Sequence, residues 1–364
     1  MKQLINIARV LVGGLFVFSG LVKAIDPLGL AYKMQEFFDV WAAEGILKGM
    51  MHWLNEQALM FSILMITMEV VLGIAMLLGW RTKMVSWLLL LLTLFFTFLT
   101  AYVLFSGKIR ACGCFGDCIP LTPVQTFAKD IVLLILVLLI LGGRKYIKPV
   151  FSNKVNVILF LLSLFGVLGL QYYVLHHLPV KDCLPFKAGN NILELRKMPG
   201  DAIPDKFDYK FVYKKSGEEK EFIVSDLPDS TWEFVDRKQI LIEKGKNNIP
   251  LINDFILKTA SGNDTTEAIL NQPGEYYLLF AKDFADNETD WISDFELFYA
   301  KSLVPVYFVT SDPKGAGELI KNKAVQILTC DATAIKTAAR VNPTLFLMNG
   351  PVIKGKWAAK DKMN

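Results

Sequence analysis

The sequence predicts a membrane α-helical bundle of five transmembrane helices, followed by a small β-rich segment and an α/β domain. Three observations support this fold class. The chain of 364 residues is 53% hydrophobic, and its apolar residues are concentrated in the first half. Five stretches there are close to the length of about 20 residues that a helix needs to cross a bilayer. Beyond residue 178 the composition becomes ordinarily polar, and strand patterns appear.

The five predicted spans are separated by polar connections. They cover residues 4–25, 58–80, 84–105, 124–142 and 155–176. The first span is longer than the apolar region of a signal peptide, which has roughly 7–15 residues. Arg9 and Lys23 also interrupt its ends. We therefore expect an uncleaved first helix.

The basic residues predict how the chain is oriented. Arg81 and Lys83 lie between the second and third spans, and four basic residues without any acid lie between the fourth and fifth. These four are Arg144, Lys145, Lys148 and Lys154. Because Lys and Arg in short connections mark the cytoplasmic side, we expect a multi-pass protein of the bacterial inner membrane. Its amino terminus would be cytoplasmic and its C-terminal domain periplasmic, where disulfides persist.

The long connection between the first two spans, residues 26–57, has helical periodicity. Apolar residues recur every three or four positions with polar residues between them, which predicts one or two amphipathic helices. The apolar positions are Leu30, Met34, Phe37, Phe38 and Trp41, then Ile46, Leu47, Met50 and Trp53. We expect these helices to form a lid that packs on the bundle; the alternative is a surface that docks a partner.

The polar half divides into a linker with a small β-rich segment, residues 179–247, and an α/β domain, residues 248–364. Alternating aromatic residues over 207–213 and an apolar run at 222–224 flank Ser216-Gly217, which predicts a β-hairpin. In the last domain, strands are predicted at 276–280, 304–310, 325–328, 343–348 and 351–357, and helices at 291–303, 314–321 and 332–340.

Three of the five cysteines, Cys112, Cys114 and Cys118, lie within seven residues between the third and fourth spans. Cys183, just beyond the fifth span, is expected on the same side of the membrane. Cys112 and Cys114 are too close for an easy unstrained bridge. Four thiols allow three complete pairings, and the sequence does not select one.

Three kinds of chemistry fit these thiols. Thiol–disulfide exchange is favoured because Lys108 and Arg110 would lower the pKa of neighbouring thiols, although Asp117 would oppose that effect. A static disulfide that holds the loop to the end of the fifth span is the main alternative. His176 and His177 leave a metal as the third interpretation, since Cys and His suit copper(I) or zinc. We predict no metal.

Four ionisable residues in the spans are further candidates, as polar groups that could contact a cofactor: Glu69, Lys23, Arg9 and Asp130. Glu69 lies near the middle of the second span, where an unpaired carboxylate is costly. We expect a salt-bridged packing network, with quinone contact or proton transfer as the alternative.

Several function classes are excluded. The net charge of +4 is spread along the chain without a basic stripe, so nucleic acid is not an expected partner. No phosphate-binding glycine loop, HExxH motif or serine elbow is present. The only histidines are His52, His176 and His177. This excludes a histidine-based triad in the α/β domain, residues 248–364, which we call the soluble domain. Arg340 and Trp357 are expected to be ordinary surface and core residues.

Residues 1–145 resemble the DoxX and MauE groups of membrane proteins. The string CGCFG at residues 112–116 is similar to the loop of MauE proteins, which implies a role in disulfide formation in periplasmic partners. The first two spans resemble those of DoxX-type proteins. The residues that carry this second resemblance are Arg9, 16–23, Asp26-Pro27, Glu69 and 77–79.

Residues 248–364 resemble the thioredoxin fold in the order of their elements and in residues 342–350, where Pro343 matches the cis proline of that family. Residues 252–255, followed by 261–264, resemble the first strand of periplasmic thioredoxin-like proteins. The paired cysteines of the family should lie near 283–291, but the sequence has none there. The resemblance therefore implies a degenerate domain without the dithiol, which binds or holds a partner; the role of Cys330 is left open.

These observations predict a thiol–disulfide oxidoreductase of the membrane. A thiolate from Cys112 or Cys114 would attack a disulfide of a periplasmic partner protein, and Cys118 or Cys183 would resolve the mixed disulfide. A membrane quinone is the candidate electron carrier, and membrane lipid surrounds the bundle. The alternative is a non-enzymatic scaffolding or assembly subunit of an envelope complex with a structural disulfide loop. Transport of a small solute ranks last.

Overall fold

A computed structural model of the chain describes residues 1–109, 113, 115–215, 217–243, 245–282, 284 and 291–363. Within them, five helices are long and apolar enough to cross a membrane, with mean hydropathies between 1.9 and 2.5. They are α1 (Lys2–Ala24), α4 (Ala58–Leu78), α5 (Thr82–Ser106), α6 (Pro123–Gly143) and α7 (Asn153–His176). The five predicted spans are confirmed to within a few residues.

Local sequence sets the ends of these helices. α4 stops before Gly79, whose φ of 65° is left-handed and ends the helical hydrogen bonding. α6 begins with Pro123 in its first turn, and the Thr122 side chain accepts a hydrogen bond from Gln125 N while Gln125 binds back to Thr122 N. These signals stop each apolar helix close to the polar connections.

Glycines bring α1 and α4 into close contact. A Cβ atom added at Gly20 would lie 2.6 Å from Val70 Cγ2, and one at Gly73 would lie 2.9 Å from the backbone nitrogen of Val17. Small residues of this kind allow helix backbones to approach each other in a membrane. The contact also aligns Lys23 on α1 with Glu69 on α4.

The connection between the first two spans forms two helices, as predicted: α2 (Pro27–Ala43) and α3 (Lys48–Glu56). The Asp26 side chain caps α2 by accepting a hydrogen bond from Gly29 N at 3.1 Å. α2 buries Leu30, Met34 and Phe37, so its apolar face packs on the bundle.

A short 3-10 turn, Arg144–Tyr146, follows α6.

The polar half of the chain folds around a five-stranded sheet of order β6-β5-β4-β7-β8. β4, β5 and β6 are parallel, β7 runs antiparallel to β4, and β8 runs antiparallel to β7. The strands are β4 (Glu275–Ala281), β5 (Val306–Thr310), β6 (Gln326–Thr329), β7 (Thr344–Asn349) and β8 (Val352–Ala358). The helices are α8 (Ile192–Leu195), α9 (Thr266–Leu270), α10 (Trp291–Lys301), α11 (Pro313–Leu319) and α12 (Ala332–Ala338), and a 3-10 turn, Ala359–Asp361, follows β8. The strands and helices predicted for residues 276–357 are confirmed.

β4 is the central strand, and each of its faces lies in a separate apolar core. Tyr276 and Phe280 pack on one side, and Leu279 packs on the other. Phe186 and Ile192 join the first core, although both belong to the predicted linker segment 179–247. The linker therefore contributes to the domain that follows it.

One predicted strand is wrong. Residues 252–255 do not form the expected first strand, because Asp254 has a left-handed φ of 57° that interrupts an extended chain. Ile252 and Phe255 are nevertheless buried in the core. The extended contact forms later, as an isolated bridge between Lys258 and Thr329.

The small β-rich segment is a three-stranded sheet of order β2-β1-β3. β1 (Lys206–Lys215) and β2 (Glu218–Ile223) form the predicted hairpin. β3 (Glu233–Glu243) was not predicted, because a polar run at 236–239 breaks the alternation that identifies a half-buried strand.

Candidate functional site

A disulfide links Cys118 to Cys183, which lies beyond α7. Cys118 belongs to the loop that joins α5 to α6, residues 107–122. We call the end of the bundle that carries this loop the cysteine end. The Cα atoms of the two cysteines are 4.9 Å apart, and 65 positions separate them in sequence. The disulfide thus fixes the loop to the chain just beyond α7. Cys112 and Cys114, the other predicted exchange cysteines, lie outside the described residues.

The loop turns tightly and presses on the bundle. Gly113 and Gly116 both have left-handed φ angles, 72° and 58°, and Gly116 N donates to Gly113 O at 2.9 Å. A Cβ atom at Gly113 would lie 3.2 Å from Lys33 Cγ on α2. Phe115 is 9% exposed, and its ring lies 6.0 Å from that of Phe18 on α1. Its side chain therefore points into the bundle.

Arg340, just after α12, joins the soluble domain to this loop. Its Nε donates to Asp26 Oδ2 at 2.7 Å, and its Nη2 donates to Asp117 Oδ2 at 2.9 Å. Nη1 donates to Lys336 O at 2.8 Å, and the guanidinium lies 5.3 Å from the ring centroid of Tyr32. We call Asp26, Tyr32, Asp117, Lys336 and Arg340 the Arg340 cluster.

The charge of Arg340 is stabilised in this buried position. Burial by itself would lower the pKa of Arg340, but the carboxylates of Asp26 and Asp117 raise it above its usual value. The expectation that Arg340 is an ordinary surface residue is therefore wrong, since its side chain is 6% exposed. Its carboxylate partners, Asp26 and Asp117, lie 314 and 223 positions away in sequence, so no local pattern could have indicated these contacts.

A second buried ion pair lies next to the disulfide. Lys356 Nζ donates to Asp182 Oδ2 at 2.7 Å, and the Lys356 side chain is 4% exposed. Burial lowers the pKa of Lys356, and the attraction of Asp182 offsets this only in part. Because Asp182 precedes Cys183, this pair fixes β8 beside the disulfide.

The cis peptide bond Asn342-Pro343 lies at the start of β7, two residues beyond Arg340. Asn342 Oδ1 accepts a hydrogen bond from Lys282 N at 2.8 Å, at the end of β4. Lys282 Nζ in turn lies 3.1 Å from Tyr32 Oη on α2. The end of β4 and the start of β7 therefore both face the Arg340 cluster.

Inside the bundle, Lys23 and Glu69 form an ion pair whose side chains are each 2% exposed. Asp130 Oδ2 accepts from Thr100 Oγ1 at 3.0 Å, and Asp130 Oδ1 lies 2.8 Å from Lys129 Nζ. The expected salt-bridged packing of Glu69 is present. Arg9 lies apart from this group, with Nη1 3.4 Å from Lys148 O between α6 and α7.

Two cavities lie in the membrane half of the chain. A cavity of about 30 Å³ is lined by Lys23, Glu69, Lys129, Asp130 and, from the loop, Phe115. A larger apolar cavity of about 460 Å³ lies among α2, α3, α4 and α5. Its lining includes Met34, Phe37, Trp41, Met65, Met68 and Phe95. We call these the polar cavity and the apolar cavity.

The remaining candidates are not brought together. His177 Nδ1 lies 2.8 Å from Asp361 Oδ1, while the His176 ring packs on Tyr172. Among the described residues, no group of three or more His, Cys, Asp and Glu side chains could hold a metal. Cys330 is 4% exposed in the core of the soluble domain, and burial raises the pKa of its thiol to about 12.

Comparison with known proteins separates the two halves of the chain. No curated protein and no solved structure matches it. Residues 207–244, which contain the three-stranded sheet, match a domain of unknown function (DUF8463). Residues 1–143, which contain α1 to α6 and the cysteine loop, match the family described as methylamine utilisation protein MauE. The first 143 residues are thus similar to the MauE family, and their long helices are apolar enough to cross a membrane.

Proposed function

We propose that this protein catalyses thiol–disulfide exchange at the cysteine end of its bundle, on the periplasmic side of the inner membrane. The observation that carries the proposal is the Cys118–Cys183 disulfide beneath a soluble domain that Arg340 attaches to the same loop. Cys112 and Cys114 are the two loop cysteines that this disulfide does not use. The resemblance of the loop to MauE proteins, which implies disulfide formation in periplasmic partners, supports the proposal.

The exchange has two balanced steps. A thiolate of Cys112 or Cys114 attacks one sulfur of the partner's disulfide, so that a mixed disulfide forms and the partner's other sulfur leaves as a thiolate. When Cys118 and Cys183 are reduced, the thiolate of one of them then attacks the mixed disulfide, forms a disulfide with the loop cysteine and releases the reduced partner. A loop thiolate can also attack the Cys118–Cys183 disulfide, which passes the oxidising equivalents to the loop cysteine. In the reverse direction, the disulfide that contains the loop cysteine oxidises a dithiol of the partner.

The soluble domain is proposed to be a thioredoxin-like module without its own dithiol. The parallel strands β4 and β5, the antiparallel strands β7 and β8, and the cis Pro343 at the start of β7 support this assignment. The edge that contains Pro343 faces the Arg340 cluster. In this arrangement the cysteine loop would supply the thiols that the soluble domain lacks, and the domain would hold the partner above them.

A membrane quinone is the proposed electron carrier. Oxidation of a dithiol by a quinone yields a disulfide and a quinol, with two electrons and two protons transferred. The apolar cavity, at about 460 Å³, lies within the range of about 300–1,000 Å³ that is typical of small-molecule sites. Its aromatic and methionine lining suits a quinone ring and the start of its tail.

Thiol trapping in intact cells tests the exchange. The variants Cys112→Ser and Cys114→Ser remove one exchange cysteine each, and a mass-adding maleimide, applied after acid quenching, reports which thiols are free. We expect at least one variant to accumulate a reductant-sensitive adduct with a partner protein. Cys330→Ser is the matched control and should form the same adducts as the wild type. If the loop cysteines stay permanently bridged and the substitutions alter only stability, the proposal is wrong.

A scaffolding role is the second candidate, and the exposed three-stranded sheet favours it. Phe234, Leu241 and Ile242 on β3 are 54%, 48% and 65% exposed, which is typical of a surface that another protein covers. A stoichiometric partner that still co-purifies after all the loop cysteines are changed to Ser would support this function in place of exchange.

A further inference from the structure

Each cysteine of the Cys118–Cys183 disulfide directly follows an aspartate that binds the soluble domain. Asp117 accepts a hydrogen bond from Arg340 Nη2 at 2.9 Å, and Asp182 accepts one from Lys356 Nζ at 2.7 Å. The two cationic side chains are 6% and 4% exposed. Each half of the disulfide is therefore bonded directly to a residue that pairs with a buried charge of the soluble domain.

The two aspartates belong to segments that meet at the disulfide. Asp117 lies in the loop 107–122, Asp182 lies beyond α7, and 65 positions separate the two cysteines in sequence. Both aspartates, both cysteines and Asp26 line a small cavity of about 20 Å³. The disulfide therefore holds the two aspartates beside each other.

The soluble domain presents the two cations from separate positions that its sheet connects. Arg340 lies between α12 and β7, and Lys356 is on β8. β7 and β8 pair along their length, with Phe346 opposite Lys356, and Lys356 Nζ lies 5.3 Å from the centroid of the Phe346 ring. The spacing of the two cations is therefore set by the fold of the soluble domain and does not depend on the cysteine end.

The disulfide lowers the entropic cost of making both contacts at once. While it is intact, a contact at one aspartate brings the other aspartate close to its own cation, so the second contact forms at a high effective concentration. After reduction, the loop and the segment beyond α7 are no longer bonded to each other, and the two contacts must order them separately. Attachment of the soluble domain then costs more conformational entropy and becomes weaker.

We propose that this arrangement is a redox-sensitive switch: the disulfide strengthens the attachment of the soluble domain through Arg340 and Lys356, and reduction of the disulfide weakens it. Because such coupling is reciprocal, the attached domain also makes the disulfide harder to reduce. The switch requires only that a dithiol can reduce this disulfide. It goes beyond the proposed function, since it does not require exchange by Cys112 or Cys114.

Reduction by a dithiol proceeds in two steps. One thiolate of the dithiol attacks Cys118 or Cys183, so that the S–S bond breaks, a mixed disulfide forms and the other cysteine leaves as a thiolate. The second thiolate of the dithiol then attacks the mixed disulfide and closes a disulfide within the reagent. The two cysteines end as thiols with two electrons and two protons taken from the dithiol, which is oxidised.

Two measurements on the purified full-length protein in lipid nanodiscs test the switch. The parent protein carries Cys112→Ser/Cys114→Ser, so Cys118 and Cys183 form its one reducible bond and Cys330 stays a buried thiol. Failure of the proposed exchange reaction therefore does not affect either measurement. Equilibration with mixtures of reduced and oxidised dithiothreitol, then acid quenching, alkylation and mass spectrometry, gives the equilibrium constant for reduction.

The first measurement compares this constant among variants of the soluble domain. We expect Arg340→Met and Lys356→Met each to favour reduction of the disulfide by roughly tenfold, within the range typical of coupled sites. Arg237→Gln, on the exposed strand β3, is the matched control and should have the constant of the parent. Equal constants in the parent and in both cation variants overturn the proposal.

The second measurement is amide hydrogen exchange, and it needs no substitution in the soluble domain. We expect reduction of the parent to speed exchange several-fold in residues 336–343, which contain Arg340, while β4 keeps its protection because the domain stays folded. In Cys118→Ser/Cys183→Ser, exchange at 336–343 should already be fast and should not respond to dithiothreitol. Unchanged exchange at 336–343 after full reduction overturns the switch, and so does an equal loss of protection in β4, which would mean that the domain unfolds.

Discussion

Arg340 Nη2 donates a hydrogen bond to Asp117 Oδ2 across 2.9 Å, although 223 positions separate the two residues in sequence. Asp117 directly precedes Cys118, so this contact reaches the residue next to the disulfide. Arg340 also binds Asp26, at the junction of α1 and α2. A single side chain of the soluble domain thus holds both the cysteine loop and the first membrane helix.

Substitution of Arg340 should loosen the soluble domain. Arg340→Met leaves the carboxylates of Asp26 and Asp117 without their cation. We expect a loss of about 3 kcal/mol, the lower end for breaking a buried ion pair, since Asp117 is 42% exposed. Calorimetry and limited proteolysis of the segment after α7 would report it. Arg237→Gln, on the exposed strand β3, is the control; equal behaviour of the two variants would contradict this role of Arg340.

Removal of the disulfide should destabilise the cysteine end. The variant Cys118→Ser/Cys183→Ser frees a loop that spans 65 positions, and chain entropy for that length corresponds to about 4 kcal/mol. The measured loss should be smaller, because membrane insertion already restricts α6 and α7 in the unfolded chain. Thermal unfolding with and without reductant checks it. Reductant should destabilise the wild type but not the variant, and the same response in both would argue against the disulfide as its cause.

Cys330 should not react with thiol reagents in the folded protein. Burial raises the pKa of its thiol to about 12, so at pH 8 roughly one molecule in ten thousand carries the reactive thiolate. Maleimide should label Cys330 only after denaturation, and mass spectrometry of the peptide that contains it would show this. Rapid labelling of the native protein would mean that the core around Cys330 opens.

Loss of Asp182 should destabilise the protein more than loss of Lys356, its partner in the ion pair. Asp182→Asn leaves a buried ammonium and should cost about 3 kcal/mol, whereas Lys356→Met replaces the cation with an apolar chain and should cost much less. Equal losses in chemical unfolding would contradict this account. A further loss in the double variant, beyond that of Asp182→Asn, would contradict it as well.

The same lysine predicts a pH dependence. Because the folded pKa of Lys356 is lowered, the unfolded chain binds a proton that the folded protein lacks between that lowered value and the usual one, about 10.4. The free energy of unfolding should therefore rise with pH across this window and level off above it. Subtracting the profile of Lys356→Met from that of the wild type isolates this contribution, and a flat difference would contradict the prediction.

The sequence was informative where the signal is local. Apolar runs identified the five long helices and the strand β4, and alternating aromatic residues identified β1, because each pattern lies within one element. β3 was missed since its middle is polar, and the strand at 252–255 was wrong because Asp254 turns the chain. Local sequence patterns thus predict the regular helices and strands, but they do not predict irregular backbone such as that at Asp254.

The contacts that build the site have no such signal. Lys23 and Glu69 are 46 positions apart, and Arg340 and Asp26 are 314 apart. Each pair depends on how helices and domains meet, which in turn depends on details such as Gly20 and Gly73 between α1 and α4. The sequence therefore identified Glu69 as a costly charge without identifying its partner, and it gave Arg340 no special role.

The disulfide between Cys118 and Cys183 has a mechanical consequence. Cys183 lies where the chain leaves α7 for the soluble domain, so the bond places the pivot of that domain on the cysteine loop itself. If the Arg340 contacts release, the disulfide and the ion pair between Lys356 and Asp182 still hold the domain at the loop. Its local concentration at the loop stays high, in the millimolar range typical of a short tether.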